Sequence, residues 1–130
     1  MTLFEIVGLY AALNMLLLVF LSFRVIGVRK KDGIGIGDGG NAQLQKRIRA
    51  HGNLTEYAPM ALIGLLLMAG LSATPIWLHC LGGALTLGRF LHAFGISNSE
   101  GVSKPRVFGM ILTFTVLTVE AGYLLFHILA

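Results

Sequence analysis

Charge is what this chain has least of: 12% of its 130 residues are Asp, Glu, Lys or Arg, where a soluble domain carries roughly 25% to keep its surface hydrated. That deficit excludes an ordinary water-soluble globule of this size. With 55% hydrophobic residues and a mean hydropathy of +0.79, it points to a surface that faces lipid. Cysteine is nearly absent. Cys80 is the only one, so no internal disulfide can form, and inside an apolar run it reads as a small packing residue. His79 and His127 stand alone in apolar stretches with no second ligand at helical spacing, which argues for packing or interface roles and against a metal. Residues 1–5 carry no basic n-region and no small-residue cleavage site follows, so the first apolar segment is expected to stay in the mature protein. Gly35 to Gly40 match G-x-G-x-x-G, but no strand precedes them and no βαβ unit surrounds them, which removes nucleotide binding and leaves a short turning loop. The basic pI of 9.6 would suit nucleic acid only if the cations sat on a polar domain, and here they flank apolar runs.

Those runs set the architecture. Ile6 to Phe23 hold no charged side chain, and Arg24 closes the run; at ~1.5 Å per residue such a helix nearly crosses a ~30 Å hydrocarbon core. The uncharged run from Tyr57 to Gly88 is too long for one helix. Ser72-Ala73-Thr74-Pro75 divides it, with Pro75 in a first helical turn and Ser72 or Thr74 as its cap. Val107 to Ala130 form a fourth span, interrupted only by Glu120. The expectation is one all-α membrane domain, residues 1–130, a four-transmembrane-helix bundle with spans at about 3–27, 43–71, 75–95 and 106–128. All ten basic residues lie around the connections between spans one and two or spans three and four. By the positive-inside rule both connections are cytoplasmic and both termini face the opposite side.

The informative polar stretch is Arg49-Ala50-His51-Gly52-Asn53-Leu54-Thr55-Glu56-Tyr57-Ala58-Pro59. Arg49, Asn53 and Glu56 fall at i, i+4 and i+7 and share a helix face; Tyr57 flanks it and His51 points away. Glu56 lies about 10 Å into the helix beyond Arg49, so its carboxylate needs a partner. Arg89 on span three reaches a similar depth, and His92 shares its face. A pocket of Arg49, Asn53, Glu56, Tyr57, Arg89 and His92 would complement a small zwitterionic peptide. A buried Glu56–Arg89 pair that only fixes helix packing is the structural alternative. Asn53-Leu54-Thr55 is a formal glycosylation sequon, discounted on the cytoplasmic side. Ala84 and Gly88 permit close helix approach. Glu5 sits near the far interface; Glu120, about 21 Å beyond Arg106, looks to Thr118, Tyr123 or a neighbouring helix for a partner.

The stretch from Arg49 to Pro59, with Gly37-Asp38-Gly39-Gly40 before it and Gly88-Arg89-Phe90-Leu91-His92 after it, resembles the second-helix signature of the membrane-associated proteins in eicosanoid and glutathione metabolism. The likeness extends over length, four spans and orientation. It implies a homotrimer that binds glutathione as co-substrate between neighbouring subunits near the cytoplasmic face. Arg49, Asn53, Glu56 and Tyr57 would hold the tripeptide's polar groups, with Arg89 and His92 lining the same cavity. Arg106, just before span four, would activate the thiol, because a guanidinium favours the nucleophilic thiolate. Arg29, or else Arg24, would be the basic contact that ends span one. One departure is clear: a tyrosine expected about four residues after His92 is missing, and Ile96 or its neighbours stand there.

The leading expectation is therefore a glutathione-dependent transferase or peroxidase acting on lipophilic electrophiles that enter from the bilayer, with Arg106 as the snorkelling interface anchor in a purely structural reading. A non-enzymatic membrane protein of the same fold is the alternative. A small proton-coupled multidrug exporter fits less well, since its key carboxylate belongs to span one, where this chain has only Glu5. Partners are thus the chain itself, lipid and a lipophilic small molecule, with no nucleic acid.

Overall fold

The computed structural model describes residues 1–99 and 101–130. Among them it places four helices and no strand: α1 Leu3–Asp32, α2 Ala42–Gly70, α3 Pro75–Asn98 and α4 Lys104–Leu129. Helix ends follow local chemistry. Thr2 and Glu5 form a reciprocal capping box, with Thr2 Oγ1 accepting from the Glu5 amide at 3.2 Å and Glu5 Oε2 from the Thr2 amide at 2.6 Å. Glu5 is thereby committed to starting α1. At the other end, Arg29, Lys30 and Lys31 lie against the negative pole of the α1 dipole, and Gly33 at φ 66° closes the helix. Asn41 caps α2 by accepting from the Leu44 amide at 3.0 Å.

The α2–α3 turn differs from the sequence expectation. Thr74 occupies the position before Pro75 but makes no side-chain cap bond. Ser72 instead ends α2 in the left-handed region, at φ 60°, while the Ala73 amide donates back to the Met68 carbonyl at 3.0 Å. This is the closing geometry usually given to glycine. Ser72→Gly is expected to raise stability by about 0.5–1 kcal/mol, since the left-handed conformation costs a side-chain-bearing residue roughly that much or more. A lowered thermal midpoint in detergent would count against it.

α2 and α3 pack against each other and against both remaining helices, whereas α1 and α4 do not meet among the described residues. Two apolar clusters result: one around Ile6, Leu65, Met68, Leu78, Leu85 and Val116, the other around Leu17, Leu21, Ala50, Leu54, Ala93 and Ile96. In lipid, such contacts are favoured by close packing more than by hydrophobicity. Glycine provides that closeness. A β-carbon on Gly88 would lie 2.9 Å from the Gly109 carbonyl oxygen, and one on Gly109 would lie 2.5 Å from that of Gly88. The α3 and α4 backbones therefore touch at Gly88, one of the two positions expected to permit close approach.

α1 and α4 are long and apolar enough to cross a membrane. α2 and α3 do not reach that standard by composition, although four spans were expected. The reason is local: the polar side chains Asn53, Glu56, Arg89 and His92 all belong to these two helices. One single-residue expectation is corrected. Cys80 is exposed on the helix surface and packs no core, because α3 turns its neighbours Leu78 and Leu81 inward instead. Glu120 is only 2% exposed; of the expected neighbours it is the adjoining helix α2 that receives it, its carboxyl filling the space left by Gly64, while Oε1 has no hydrogen-bond partner among the described residues.

Candidate functional site

Arg89 organises the interior at the end of the bundle where the basic residues gather. It is 2% exposed, and its Nη1 donates to Asn53 Oδ1 at 2.7 Å. Nη2 donates to the Gly109 carbonyl at 3.4 Å and to Met110 Sδ at 3.3 Å. The Tyr57 ring centroid lies 5.7 Å from the guanidinium carbon, and Tyr57 itself meets Phe114 edge-on at 5.6 Å. One side chain of α3 thus ties α2 to α4.

The proposed Glu56–Arg89 pair does not form. Glu56 accepts instead from Arg49 Nη1 at 3.3 Å, with both side chains about half exposed. Residues at i and i+7 on one helix stripe can fold toward each other on the outside. Arg89 is held inside by Asn53, one turn nearer the start of α2, and cannot reach out to Glu56. A charge-bearing group buried without an opposite charge is costly unless its hydrogen bonds are met. Here neutral acceptors meet most of them, and Arg89 Nε is left without a partner.

His92 is buried as well, and its backbone nitrogen would be 2.7 Å from a β-carbon on Gly109. It belongs to the α3–α4 crossing and not to an open surface. What the fold does bring to an open cavity is Arg49 and Arg106. A cavity of about 160 Å³ is lined by Gln45, Lys46, Arg49, Ile96, Ser99 and Arg106. Arg106 is set there by close packing at the start of α4: a β-carbon on Gly95 would sit 2.5 Å from the Arg106 amide nitrogen. Ile96, which with its neighbours stands where the resemblance implies a tyrosine, lines the cavity wall.

The expected site residues therefore divide into groups. Arg49 and Arg106 line the cavity, and Glu56 is paired to Arg49 without lining it. Asn53, Tyr57 and Arg89 form the interior network, and His92 packs nearby. Arg29 is elsewhere. Its Nη1 donates to the Gly37 carbonyl at 2.9 Å, and it lines a hollow of about 320 Å³ between α1 and α2 with Ser22, Val25, Ile26, Ile48 and His51. Arg24 is used structurally: it donates to Ser97 Oγ at 3.1 Å, and its own carbonyl accepts from Arg47 at 2.8 Å.

Sequence reasoning missed Gln45, Lys46, Ser99 and His51. Gln45 and Lys46 stand four and three residues before Arg49 and so share its face, a helical spacing that could have found them. His51 was placed correctly as pointing away, but the hollow on that side was not anticipated. Ser99 ends α3 and carries no pattern. Among the described residues, no group of three or more His, Cys, Asp or Glu could hold a metal.

Known proteins are similar to this chain over most of its length. The profile of the MAPEG family matches residues 7–126. The inner membrane protein YecN of Escherichia coli K12 is 41% identical over 88 residues, which cover 68% of this chain and 67% of the relative. YecN of Escherichia coli O6:H1 matches with the same identity and coverage.

Proposed function

Because the chain belongs to the MAPEG family of membrane proteins, we propose that it binds glutathione at the Arg49–Arg106 cavity and transfers the thiol to lipophilic electrophiles. The observation that carries this reading is the convergence of Lys46 and Arg49 from α2 and of Arg106 from α4 on one open cavity. Such a set suits the carboxylates of a tripeptide, and a guanidinium beside the sulfur favours thiolate over thiol. The thiolate would attack the electrophilic carbon, and a halide would leave with its bonding pair, the thiol proton having gone to solvent.

The cavity's volume of about 160 Å³ is near half of the ~300 Å³ at which small-molecule sites begin. One protomer therefore holds only part of the tripeptide. In a closed ring, one surface patch of each copy meets a different patch of the next. A homotrimer would complete the site by setting the hollow of Arg29 and His51 against the Arg49–Arg106 cavity of its neighbour. By the total charge bias, this end of the bundle would lie in the cytoplasm, and the membrane would be the inner membrane, as in the YecN relatives.

Glutathione binding by the purified protein tests the reading, with Glu56→Gln as the discriminating variant. The Arg49–Glu56 pair is half exposed, and pairs of that kind contribute roughly 0–1 kcal/mol. The melting temperature is expected to stay nearly constant while glutathione affinity falls about tenfold, the loss of one charged contact. A lowered melting temperature with unchanged affinity would make the pair structural glue and remove Glu56 from the site. A second reading is a non-catalytic binder, because the tyrosine that the resemblance implies about four residues after His92 is absent, and Ile96 lines the cavity there. Saturable glutathione binding with no conjugation by the wild type would select it.

A further inference from the structure

Two arginines at the basic end have no part in the thiol cavity. Arg24 of α1 turns away from the hollow that Ser22, Val25, Ile26 and Arg29 form with α2. It turns toward α3, where its Nη1 donates to Ser97 Oγ at 3.1 Å. Arg47 of α2 donates to the Arg24 carbonyl at 2.8 Å, which sets its charge beside that of Arg24. Like charges so placed repel, the more so where lipid lowers the dielectric constant. Among the described residues no carboxylate answers them. Glu56 pairs with Arg49, Asp32 accepts from Asn41, Asp38 from the Gly40 amide and Glu5 from the Thr2 amide, while Glu120 lies against Gly64. Arg24 Nε and Nη2 and Arg47 Nη2 have no acceptor among the described residues, yet they are not sealed inside. Arg47 Nε, by contrast, is covered and can take no ligand.

The uncharged run of α1 ends at Phe23, so Arg24 stands at the depth where hydrocarbon gives way to headgroups. Toward the bilayer centre the surface turns apolar. The Arg24 guanidinium carbon lies 5.8 Å from the ring centroid of Phe20, one turn back on α1. Phe90, Phe94 and Ser97 share an α3 face at i, i+4 and i+7, and all three phenyl rings are exposed. We propose that Arg24 and Arg47 bind the phosphodiester of an anionic phospholipid whose acyl chains lie along the α1–α3 face. A guanidinium can hold two phosphate oxygens at once, and basic pockets between membrane helices take such headgroups. A zwitterionic lipid fits worse. Its ammonium needs a carboxylate, which Arg49 has beside it in Glu56 and this pair lacks. The trimer proposed above closes the α1–α2 hollow on the cavity of α2 and α4, and so leaves the α1–α3 face to lipid. The inference does not depend on thiol transfer.

The test is native mass spectrometry of the purified protein in neutral detergent, titrated with phosphatidylglycerol and with phosphatidylcholine of the same chains. Phosphatidylglycerol is expected to bind about tenfold more tightly, the effect of one charge-assisted contact. Arg24→Gln and Arg47→Gln should each remove most of that preference, while the glutamine keeps an N–H for the Ser97 hydroxyl or the Arg24 carbonyl. Either variant decides the matter where the other does not fold. Lys31→Gln removes an exposed charge from the last turn of α1 and should leave the preference intact. Equal binding of the two lipids, or none, overturns the proposal. So does a preference that neither arginine variant lowers, or that Lys31→Gln lowers as much, since the attraction would then be diffuse. Displacement of the lipid by equimolar inorganic phosphate or glutathione also overturns it and would assign the arginines to a soluble anion.

Discussion

Arg106→Ala is expected to lower kcat/KM for conjugation of glutathione to a chlorinated aromatic by about 100-fold or more, the effect typical of removing one preorganised group that stabilises developing negative charge. Arg106 is partly exposed on the cavity wall, opposite Arg49 and Lys46, so its loss leaves the fold intact and much of the binding charge in place. The effect should therefore fall on kcat more than on KM. Two readings check this. The ultraviolet absorbance of the thiolate is expected when glutathione is added to wild type and should be absent in the variant. Arg106→Lys should restore part of it, because a cation remains, although a point charge replaces the planar fork. A variant that keeps full activity would remove Arg106 from catalysis and leave it as an interface anchor.

A second large effect is expected from the smallest of substitutions. Gly109→Ala adds one methyl group where α3 and α4 touch, and that carbon would meet the Gly88 carbonyl oxygen at 2.5 Å, the His92 amide nitrogen at 2.7 Å and His92 Cβ at 3.0 Å. Two of these neighbours are backbone atoms, so no side-chain rotation relieves the contact and the helices must separate. Overpacking of a tight interior costs about 1–3 kcal/mol, and the consequences extend further here. The Gly109 carbonyl accepts from Arg89 and from Thr113, and Arg106 sits one turn before it on the same helix. Gly109→Ala is thus expected to lose both thermal stability and glutathione conjugation. Gly122→Ala is the control, because a β-carbon there meets nothing within 4 Å; it should be neutral, or slightly stabilising through helix propensity. Equal stabilities for the two variants would refute the close crossing.

The contrast between Glu56 and Arg89 shows where reading the sequence stops. Both were recognised as polar groups at membrane depth, and both were placed on inward faces by helical spacing. Spacing along one helix carries no information about the rotation of a neighbouring helix. Asn53 and Glu56 are three residues apart, and a small rotation decides which of them meets Arg89. The same holds for Arg29: its place near the end of α1 was legible, but the Gly37 carbonyl that holds it depends on how the glycine-rich loop folds back. Cys80 was misplaced for a related reason, since an apolar helix in lipid turns apolar residues outward as well as inward.

Helix number, the turn at Ser72 to Pro75, the crowding of cations at one end and the family were all legible in the order of the residues, because each rests on local composition or on side chains close together in one helix. Tertiary structure alone decided that Asn53 satisfies Arg89, that Gly95 and Gly109 seat α4, and that Arg49 and Arg106 share a cavity. Those facts depend on the distance and rotation between helices, and both are fixed by close contacts of small residues far apart in the chain.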